Sequence, residues 1–508
     1  MKKSYKITGF LSNIKNRNTI KEEEMSIIKN FKKLFEPSDM TVGSPWKSIA
    51  VFSIPMVIGN IAQQLYSTVD TIVVGKYVGD IAISCVGSAT PLLNLLLALF
   101  IGISAGVGIM VAQYFGAKSR DDLSKTIGTC ITLTAIVSLF MMLVAPPFIR
   151  DFLRILNTPE NVIEGSNSYL VISLYGIAGM AYYNILSGIL RGMGDSFSAL
   201  IYLLIAAVIN VILDIWFVAG LGMGVGGVAL ATVIAQAISS VLCLFKIMRM
   251  RNVFDFNTKL LKMSRIHMKK IIALGLPSGM TQAIMSSAMI IVQALTNCFG
   301  EQFIAANNIV MRVDGFAMMP NFSFGTAMTT YAGQNVGARK LDRVSKGAKQ
   351  GTIMAVCCSA TITGIILIFG KYIMSMFTDT ESLVEQSVYM MRILAVGYIA
   401  MAVTQSLSGV MRGTGDTMTP MWISLITTVV IRVPIAYGIS WLTTTESLPY
   451  GRSECIQISL LTSWIIGAAL TTFFYKLGGW KKKVGFESSI SLTKKEKNTK
   501  LFDTSDES

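Results

Sequence analysis

The chain has 508 residues, of which 52% are hydrophobic and 14% are charged, and its formal net charge is +15. A mean hydropathy of +0.57 excludes a water-soluble domain, because such a domain could not keep so many apolar side chains off its surface. Lys and Arg gather in alternate loops between apolar runs, as the positive-inside rule describes, rather than in one nucleic-acid-binding patch. We therefore expect a membrane protein with both termini in the cytoplasm and no nucleic-acid partner.

Apolar segments follow one another along the chain, each close to the ~20 residues that a helix needs to cross a bilayer. The first half contains 48–74, 82–114, 126–148, 169–190, 199–220 and 225–244, and the second contains 271–299, 303–331, 352–368, 388–410, 420–442 and 456–475. Backbone groups in lipid must be hydrogen-bonded within their own segment, and the alternating pattern of barrel strands is absent, so these spans are helices. The predicted fold class is all-α, with twelve transmembrane helices.

The remaining segments complete the predicted domain organisation. We expect a cytoplasmic N-terminal arm, a six-helix bundle, a basic cytoplasmic linker, a second six-helix bundle and a disordered cytoplasmic tail, over residues 1–45, 46–245, 246–270, 271–478 and 479–508. The arm could lie on the membrane surface, be disordered, or precede a start at Met40. It lacks the short apolar core of a cleavable signal peptide. The sequence thus predicts a monomeric, multi-pass protein of the cell membrane in contact with lipid.

A polar loop occurs twice, as LSGILRGMGD at 186–195 and as LSGVMRGTGD at 407–416. In the same way, AQYFGAKSRDDLSK from Ala112 resembles GQNVGARKLDRVSK from Gly333. Because each half has an even number of spans, the halves form parallel repeats. The repeated loops are predicted to be cytoplasmic turns between the fourth and fifth helices of each half, in which glycines allow the reversal and Asp195 and Asp416 cap the next helix.

Several kinds of chemistry are excluded by missing motifs. The sequence has no GxxxxGK[ST] loop for ATP phosphates and no CxxC among its seven cysteines, and its one histidine is His267. A histidine-based triad or an imidazole metal site is therefore not available. We predict no enzymatic activity and no cofactor, so any active transport would use a Na⁺ or H⁺ gradient.

Acidic residues within the predicted spans are functional candidates, because a charge in the membrane is costly unless it meets a partner or a cavity. Asp70 lies six residues before Lys76 and Asp214 six before Gly220, where their helices are expected to emerge on the outer side. Both side chains would therefore lie ~9 Å below the outer boundary. Asn60, Gln63, Ser67 and Asp70 form one stripe on the first helix, and Asn210 is an i, i+4 neighbour of Asp214.

Further oxygen ligands could come from Thr232 on the sixth helix and from Tyr66 and Asn184. Hard cations prefer clusters of carboxylate, amide and hydroxyl oxygens, and two carboxylates can alternatively share a proton. The sequence therefore predicts a cation-coupling site of Asp70, Asn210, Asp214 and Thr232, which would bind Na⁺ if transport is sodium-coupled. A buried polar network that only ties the helices together is the alternative.

The second half carries different charges within its spans. Arg312 and Asp314 lie in the eighth segment, Arg392 in the tenth and Arg432 in the eleventh. Arg312 and Asp314 point to different faces, so we expect Asp314 to pair across helices with Arg432. A structural ion pair and a substrate contact both remain open for these residues, which are candidate cavity residues together with Gln63, Tyr66 and Asn184.

The paired LRGMGD and MRGTGD turns, together with IPMVIGN, LYSTVDTIVVGKYVG and GQNVGARK, resemble the multidrug and toxic compound extrusion (MATE) family. The resemblance covers about residues 45–480. It implies a V-shaped pair of bundles that opens a central cavity to alternate sides. It also implies export of amphiphilic, often cationic, compounds against influx of Na⁺ or H⁺.

The resemblance also implies which half binds the ion. Members with an aspartate in the first helix, an N-x-x-x-D pair in the fifth and a threonine in the sixth bind cations there, and these positions match Asp70, Asn210, Asp214 and Thr232. The second half departs from the pattern, because Val292 stands near the place of Asp70 and IRVPI from Ile431 replaces INVILD. Other branches of the family use acidic residues in the seventh and tenth helices, and this sequence has none within those predicted spans. The resemblance therefore argues against an ion site of that type in the second half.

The predicted function is ion-coupled efflux of small amphiphilic or cationic molecules, including drugs. One alternative is export of an endogenous metabolite. Another is a flippase for a lipid-linked saccharide, whose anionic substrate would need a basic cavity such as Arg312, Arg392 and Arg432 could supply. A channel or sensor would need a continuous pore or a signalling domain, and no loop or tail is long enough for the latter.

Overall fold

In a computed structural model, the protein is described over residues 36–481, apart from 156–157, 251–252, 256–261 and 447. The side chains at positions 66, 67, 71 and 80 are also outside the described part. Most of the predicted N-terminal arm and C-terminal tail therefore lies outside the described residues.

The first half consists of six helical spans. They are α1 (Pro45–Tyr77), α2 (Asp80–Gly116), α3 (Arg120–Val144), α4 in two segments (Glu160–Tyr175 and Ile177–Gly192), α5 (Ser196–Asp214, continued by the π-helical turn Ile215–Gly220) and α6 (Gly224–Arg249). A short helix, Ile149–Ile155, precedes α4.

The second half repeats this order. Its spans are α7 (Arg265–Thr296), α8 (Glu301–Gly337), α9 (Leu341–Ser375), α10 (Glu381–Gly413), α11 (Met418–Leu425, the π-helical Ile426–Arg432 and Val433–Leu442) and α12 (Cys455–Leu477). Among the described residues, ten helices, or eleven when the bent α4 counts as one span, are long and apolar enough to cross a membrane. Helix α8 is equally long but more polar, and it packs between α10, α9, α2 and α1. The all-α prediction is confirmed.

Helix α4 differs from its prediction as one continuous span over 169–190. Its two segments meet at Gly176 with a bend of 55°. A Cβ atom at Gly176 would lie only 2.1 Å from the Val233 side chain on α6. The missing side chain lets α6 pack into the break, so the apolar run is continuous in sequence but not in direction.

The two halves contact each other through glycines on α2 and α7. A Cβ atom at Gly106 would lie 2.6 Å from the carbonyl oxygen of Ile271, and one at Gly275 would lie 2.7 Å from that of Gly102. Small residues allow membrane helices to approach until their backbones touch, which increases van der Waals contact where the hydrophobic effect gives no help. The helix pair thus forms a close seam between the halves.

The repeated turns also connect the halves, and the pattern is reciprocal. Gln113 at the end of α2 donates from Nε2 to the carbonyl of Gly413 at 3.0 Å. Gln334 at the end of α8 donates from Nε2 to the carbonyl of Gly192 at 3.1 Å. Each half therefore binds the turn of the other half, which joins the two halves at the end predicted to face the cytoplasm.

The predicted helix cap is confirmed for Asp195, and Asp416 makes the same two kinds of hydrogen bond one residue before the N-cap position of α11, Thr417. Asp195 accepts from the backbone N–H of Ser198 at 2.9 Å and from its hydroxyl at 2.7 Å. Asp416 accepts from the backbone N–H and hydroxyl of Thr419 at 3.3 Å and 2.7 Å. The preceding glycines, Gly194 and Gly415, have φ values of 86° and 95°, a conformation that side chains disfavour.

Candidate ion and substrate site

The candidate ion site lies where α5 changes from an α-helix to a π-helical turn. Asn210 and Asp214 are both fully buried, and the π-helical turn begins directly after Asp214. A π-helical turn shifts the register of the side chains that follow it, and such turns are frequent at functional sites. Helix α11 also contains a π-helical turn, but it lies earlier in the repeat and ends at Arg432.

Asn210 joins the two carboxylates. With its amide oriented to satisfy both ends, its nitrogen donates to Oδ1 of Asp70 and to Oδ2 of Asp214, both at 2.9 Å. Its oxygen accepts from the backbone N–H of Thr232 at 3.1 Å and from the hydroxyl at 3.3 Å. The four residues predicted for the cation site therefore meet in one cluster that connects α1, α5 and α6.

The cluster remains incompletely hydrogen-bonded. Oδ1 of Asp214 is buried and has no hydrogen-bond donor, and the Asp70 and Asp214 carboxyl groups are close enough to interact directly. A buried acceptor without a donor costs ~1–3 kcal/mol. This arrangement would be relieved by a cation or by a shared proton between the two carboxyl groups.

A cavity opens beside this cluster in the first half. Thr232 lines it and also contacts Asn210, so the cavity and the carboxylates share a residue. The predicted cavity residues Gln63 and Asn184 line it too, whereas the side chain of Tyr66 is outside the described part. Within the described part of the chain, the lining consists of Pro55, Met56, Gly59, Asn60, Gln63, Leu93, Leu97, Met180, Tyr183, Asn184, Ser187, Arg191, Ser196, Ala199, Leu200, Leu203, Thr232 and Gln236.

Comparisons with known proteins agree on one family. The MatE family model matches residues 55–216 and 277–438, once in each half. The chain belongs to the MATE family. Its structure superposes on an outward-facing multidrug resistance MATE family transporter with a TM-score of 0.81, 23% identity and coverage of 88% of this chain and 99% of that one. It superposes on a MATE structure in a bent conformation with a TM-score of 0.80, 24% identity and coverage of 88% and 98%.

Curated MATE relatives are similar over most of their length. The probable multidrug resistance protein YoeA of Bacillus subtilis is 28% identical, over 87% of this chain and 95% of its own. The probable multidrug resistance protein NorM of Thermotoga maritima is 24% identical over 86% and 93%. The multidrug export protein MepA of Staphylococcus aureus is 21% identical over 84% and 95%. These matches confirm the predicted family, and with it a membrane transporter rather than an enzyme.

The second half of this MATE protein does not form the ion pair predicted between Asp314 and Arg432. The two residues interact through their charges, but Oδ1 of Asp314 and Nε of Arg432 are both buried without a hydrogen-bond partner. No ion-pair contact of 4 Å or less joins these two described residues. The side chains of Arg312 and Arg392 are exposed.

Sequence reasoning missed two residues at the MATE site. Tyr169 on α4 is buried near both Asp70 and Asp214, although sequence indicated it only as the start of an apolar run. Gln236 follows Thr232 by one helical turn, lines the cavity, and has a buried Oε1 without a donor. Its i, i+4 spacing from Thr232 was a signal that could have identified it.

Proposed function

We propose that this MATE protein is a secondary active exporter, which moves amphiphilic or cationic small molecules out of the cell in exchange for Na⁺ or H⁺. The observation that carries the proposal is the pair of carboxylates, Asp70 and Asp214, held together by Asn210 next to a cavity. The multidrug relatives support the substrate class. Alternating access would expose this cavity first to one side of the membrane and then to the other.

Ion binding would act through repulsion between Asp70 and Asp214. Two carboxylates in contact repel each other unless a proton or a cation lies between them. Since Asp70 lies on α1 and Asp214 on α5, the charge of the pair determines how closely the outer parts of these helices can approach. Binding or release of one ion would therefore move the outer part of α1.

Asn210 has two useful orientations in this scheme. With its nitrogen toward Asp70 and Asp214 it stabilises the carboxylates without a bound cation. With the amide reversed, its oxygen would face the same space, where Na⁺ requires oxygen ligands. Proton coupling needs no such reversal, so the role of Asn210 differs between the two ions.

Helix α1 provides the mechanical connection to the cavity. Pro55 lies inside α1 rather than at its start, and Pro55 and Gly59 both line the cavity. Proline frees a backbone carbonyl in the preceding turn, and glycine tolerates a change of backbone angle. Bending at this point would change the cavity and move the outer segment that carries Asp70.

The proposal is tested with purified protein in liposomes loaded with a fluorescent amphiphilic cation. Dye efflux should depend either on a Na⁺ gradient at constant pH or on a pH gradient in the absence of Na⁺. Whichever gradient drives efflux identifies the coupling ion. The Asp70→Asn protein should lose that dependence. Flipping of a labelled lipid-linked saccharide without dye efflux would instead favour the flippase alternative, and efflux that ignores both gradients would contradict ion coupling.

A further inference from the structure

The cavity carries a positive charge at the end opposite the carboxylates. Arg191 lies in the last turn of α4, and its side chain lines the cavity. Ser196, the first residue of α5, lines the same region, whereas Asp214 ends that helix. Eighteen helical steps separate these two α5 residues, which is about 27 Å at 1.5 Å per residue. Arg191 therefore lies at the end of the cavity that is far from the carboxylate cluster, which borders the cavity at Thr232.

Arg191 has no anionic partner among the described residues. The ionisable groups that act on it are Tyr183 and Cys243, neither of which is a carboxylate. The acid closest to it in sequence, Asp195, is engaged by Ser198 and lies 3.8 Å from Nζ of Lys246. Arginine keeps its charge in proteins and carries five N–H donors. The Arg191 side chain is half-buried and has no carboxylate partner in the described part of the chain, so its surroundings favour an anion.

Neighbouring groups in the cavity are suited to hold a polar head group. Tyr183, Ser187 and Arg191 follow one another at i, i+4 and i+8 on one face of α4, and all three line the cavity. Gln236 faces them from α6 with a buried Oε1 that lacks a donor. Arg191 can bind a carboxylate or phosphate through two parallel N–H bonds, which adds geometric selectivity to charge.

We propose that Arg191 binds an anionic group of the transported molecule, so that the preferred substrates are amphiphiles that carry a carboxylate or a similar anion, including zwitterions. This inference rests on the proposed export function, since it assigns a substrate class to the same cavity. It predicts that a neutral or purely cationic analogue of the same size binds more weakly than the acid.

A matched ligand pair tests this directly. A rhodamine with a free benzoate and the methyl ester of the same dye differ by one anionic group. Their affinities are measured by fluorescence anisotropy with full-length protein in phosphatidylcholine nanodiscs. The wild-type protein should bind the acid more tightly, and Arg191→Gln should weaken binding of the acid about 10- to 100-fold with little effect on the ester.

Arg412 provides the control variant. It occupies the position of Arg191 in the repeated turn and lies near Gly325, but it does not line the described cavity. Arg412→Gln should leave both affinities unchanged. Arg191→Lys, which keeps the charge but loses the two-bond geometry, should weaken acid binding severalfold and preserve the preference for the acid. The Arg191→Lys variant also provides a test if Arg191→Gln does not fold.

The outcomes are distinct. The inference would be overturned if Arg191→Gln weakened binding of the acid and the ester equally, or weakened neither. It would also be overturned if the wild-type protein bound the ester more tightly than the acid. Competition by phosphatidylglycerol discs that disappears in Arg191→Gln would identify a lipid phosphate as a second source of the anion, whereas its absence would assign the site to the soluble acid. Because binding is measured without a gradient, failure of efflux in liposomes would count against the exporter and not against Arg191.

Discussion

Gln113 and Gln334 occupy equivalent positions in the two repeats, and each donates a hydrogen bond to a backbone carbonyl of the opposite half. The helix ends that carry them are nearly in backbone contact. A Cβ atom at Gly116 would lie 1.9 Å from the Gln334 carbonyl oxygen, and one at Gly337 would lie 1.8 Å from that of Gln113. The repeated loop therefore has a second role besides reversing the chain, because it joins the two halves by a reciprocal contact, which we expect to close the cavity on this side.

The first prediction concerns this closure. Gly116→Ala or Gly337→Ala should prevent the ends of α2 and α8 from meeting. The added methyl group would overlap the backbone of the other helix, which can move aside only at a large energetic cost. A cysteine introduced near Gly192 should then react faster with a membrane-impermeant maleimide from the side predicted to be cytoplasmic. Gly364→Ala is the matched control, since a Cβ atom there meets nothing within 4 Å. Unchanged labelling in the Gly116 and Gly337 variants would show that the contact does not close the cavity.

The second prediction concerns the carboxylate pair. Asp70→Asn and Asp214→Asn should each abolish gradient-driven efflux while the protein still folds, and the double variant should be no worse than either single one. Two groups that hold the same ion act as a unit, so their effects are not additive. Efflux rates in liposomes and thermal unfolding in detergent provide the two measurements. Partial losses that add would show that the aspartates work separately.

Asn210 gives a third, sharper prediction. Asn210→Leu should destabilise the protein by ~1–3 kcal/mol, because both carboxylates lose their shared donor, and it should abolish ion dependence. Thr232→Val removes only a hydroxyl, since its backbone N–H still donates to the Asn210 oxygen at 3.1 Å. We expect the valine variant to lose Na⁺ stabilisation if Na⁺ is the ion and to behave as wild type if the ion is a proton. A fully coupled Asn210→Leu protein would contradict the bridging role.

The sequence allowed prediction of the helices and of the meeting of Asp70, Asn210, Asp214 and Thr232 because both depend on local patterns. Apolar length identified the spans, and i, i+4 spacing placed Asn210 and Asp214 on one face. The break at Gly176 was not predictable in this way, since it depends on how closely Val233 of α6 approaches. A bend set by a neighbouring helix leaves no periodic signal in its own segment.

The prediction for Asp314 and Arg432 shows a different limit. Two opposite charges within the spans of the same half, on α8 and α11, suggested a pair, but the sequence does not give the distance between these helices. The π-helical turn that ends at Arg432 shifts the register of α11. Oδ1 of Asp314 and Nε of Arg432 are both left without a hydrogen-bond partner. Conversely, Gln236 was overlooked because amides are common in helices, and only the cavity distinguishes this one.

The fourth prediction concerns the bend in α1, and the repeat supplies its control. Pro55 in α1 and Pro277 in α7 are both internal to their helices and begin the two MatE matches. Only the first half has the aspartate pair, because Val292 stands near the place of Asp70. Pro55→Ala should therefore reduce ion-driven switching while preserving ion binding, whereas Pro277→Ala should affect switching much less. Distances between spin labels on the outer parts of α1 and α8 report the switch, and equal effects of the two substitutions would remove the special role of α1.

The last prediction is that ion occupancy at the first-half cluster drives the change of access. One charge that moves through a 100 mV potential supplies ~2.3 kcal/mol, which is enough to bias two conformations ~50-fold, since 1.4 kcal/mol is tenfold. No second carboxylate pair is needed for an effect of this size. Fluorescent labels placed across the outer opening of the cavity should approach each other when Na⁺ is added or the pH is lowered, whichever ion proves to couple. The Asp70→Asn protein should not respond, because a neutral side chain removes the repulsion that the ion relieves. If that variant still switches fully with the ion, the coupling site lies elsewhere in the protein, and the second-half residues Asp314 and Arg432 become the next candidates.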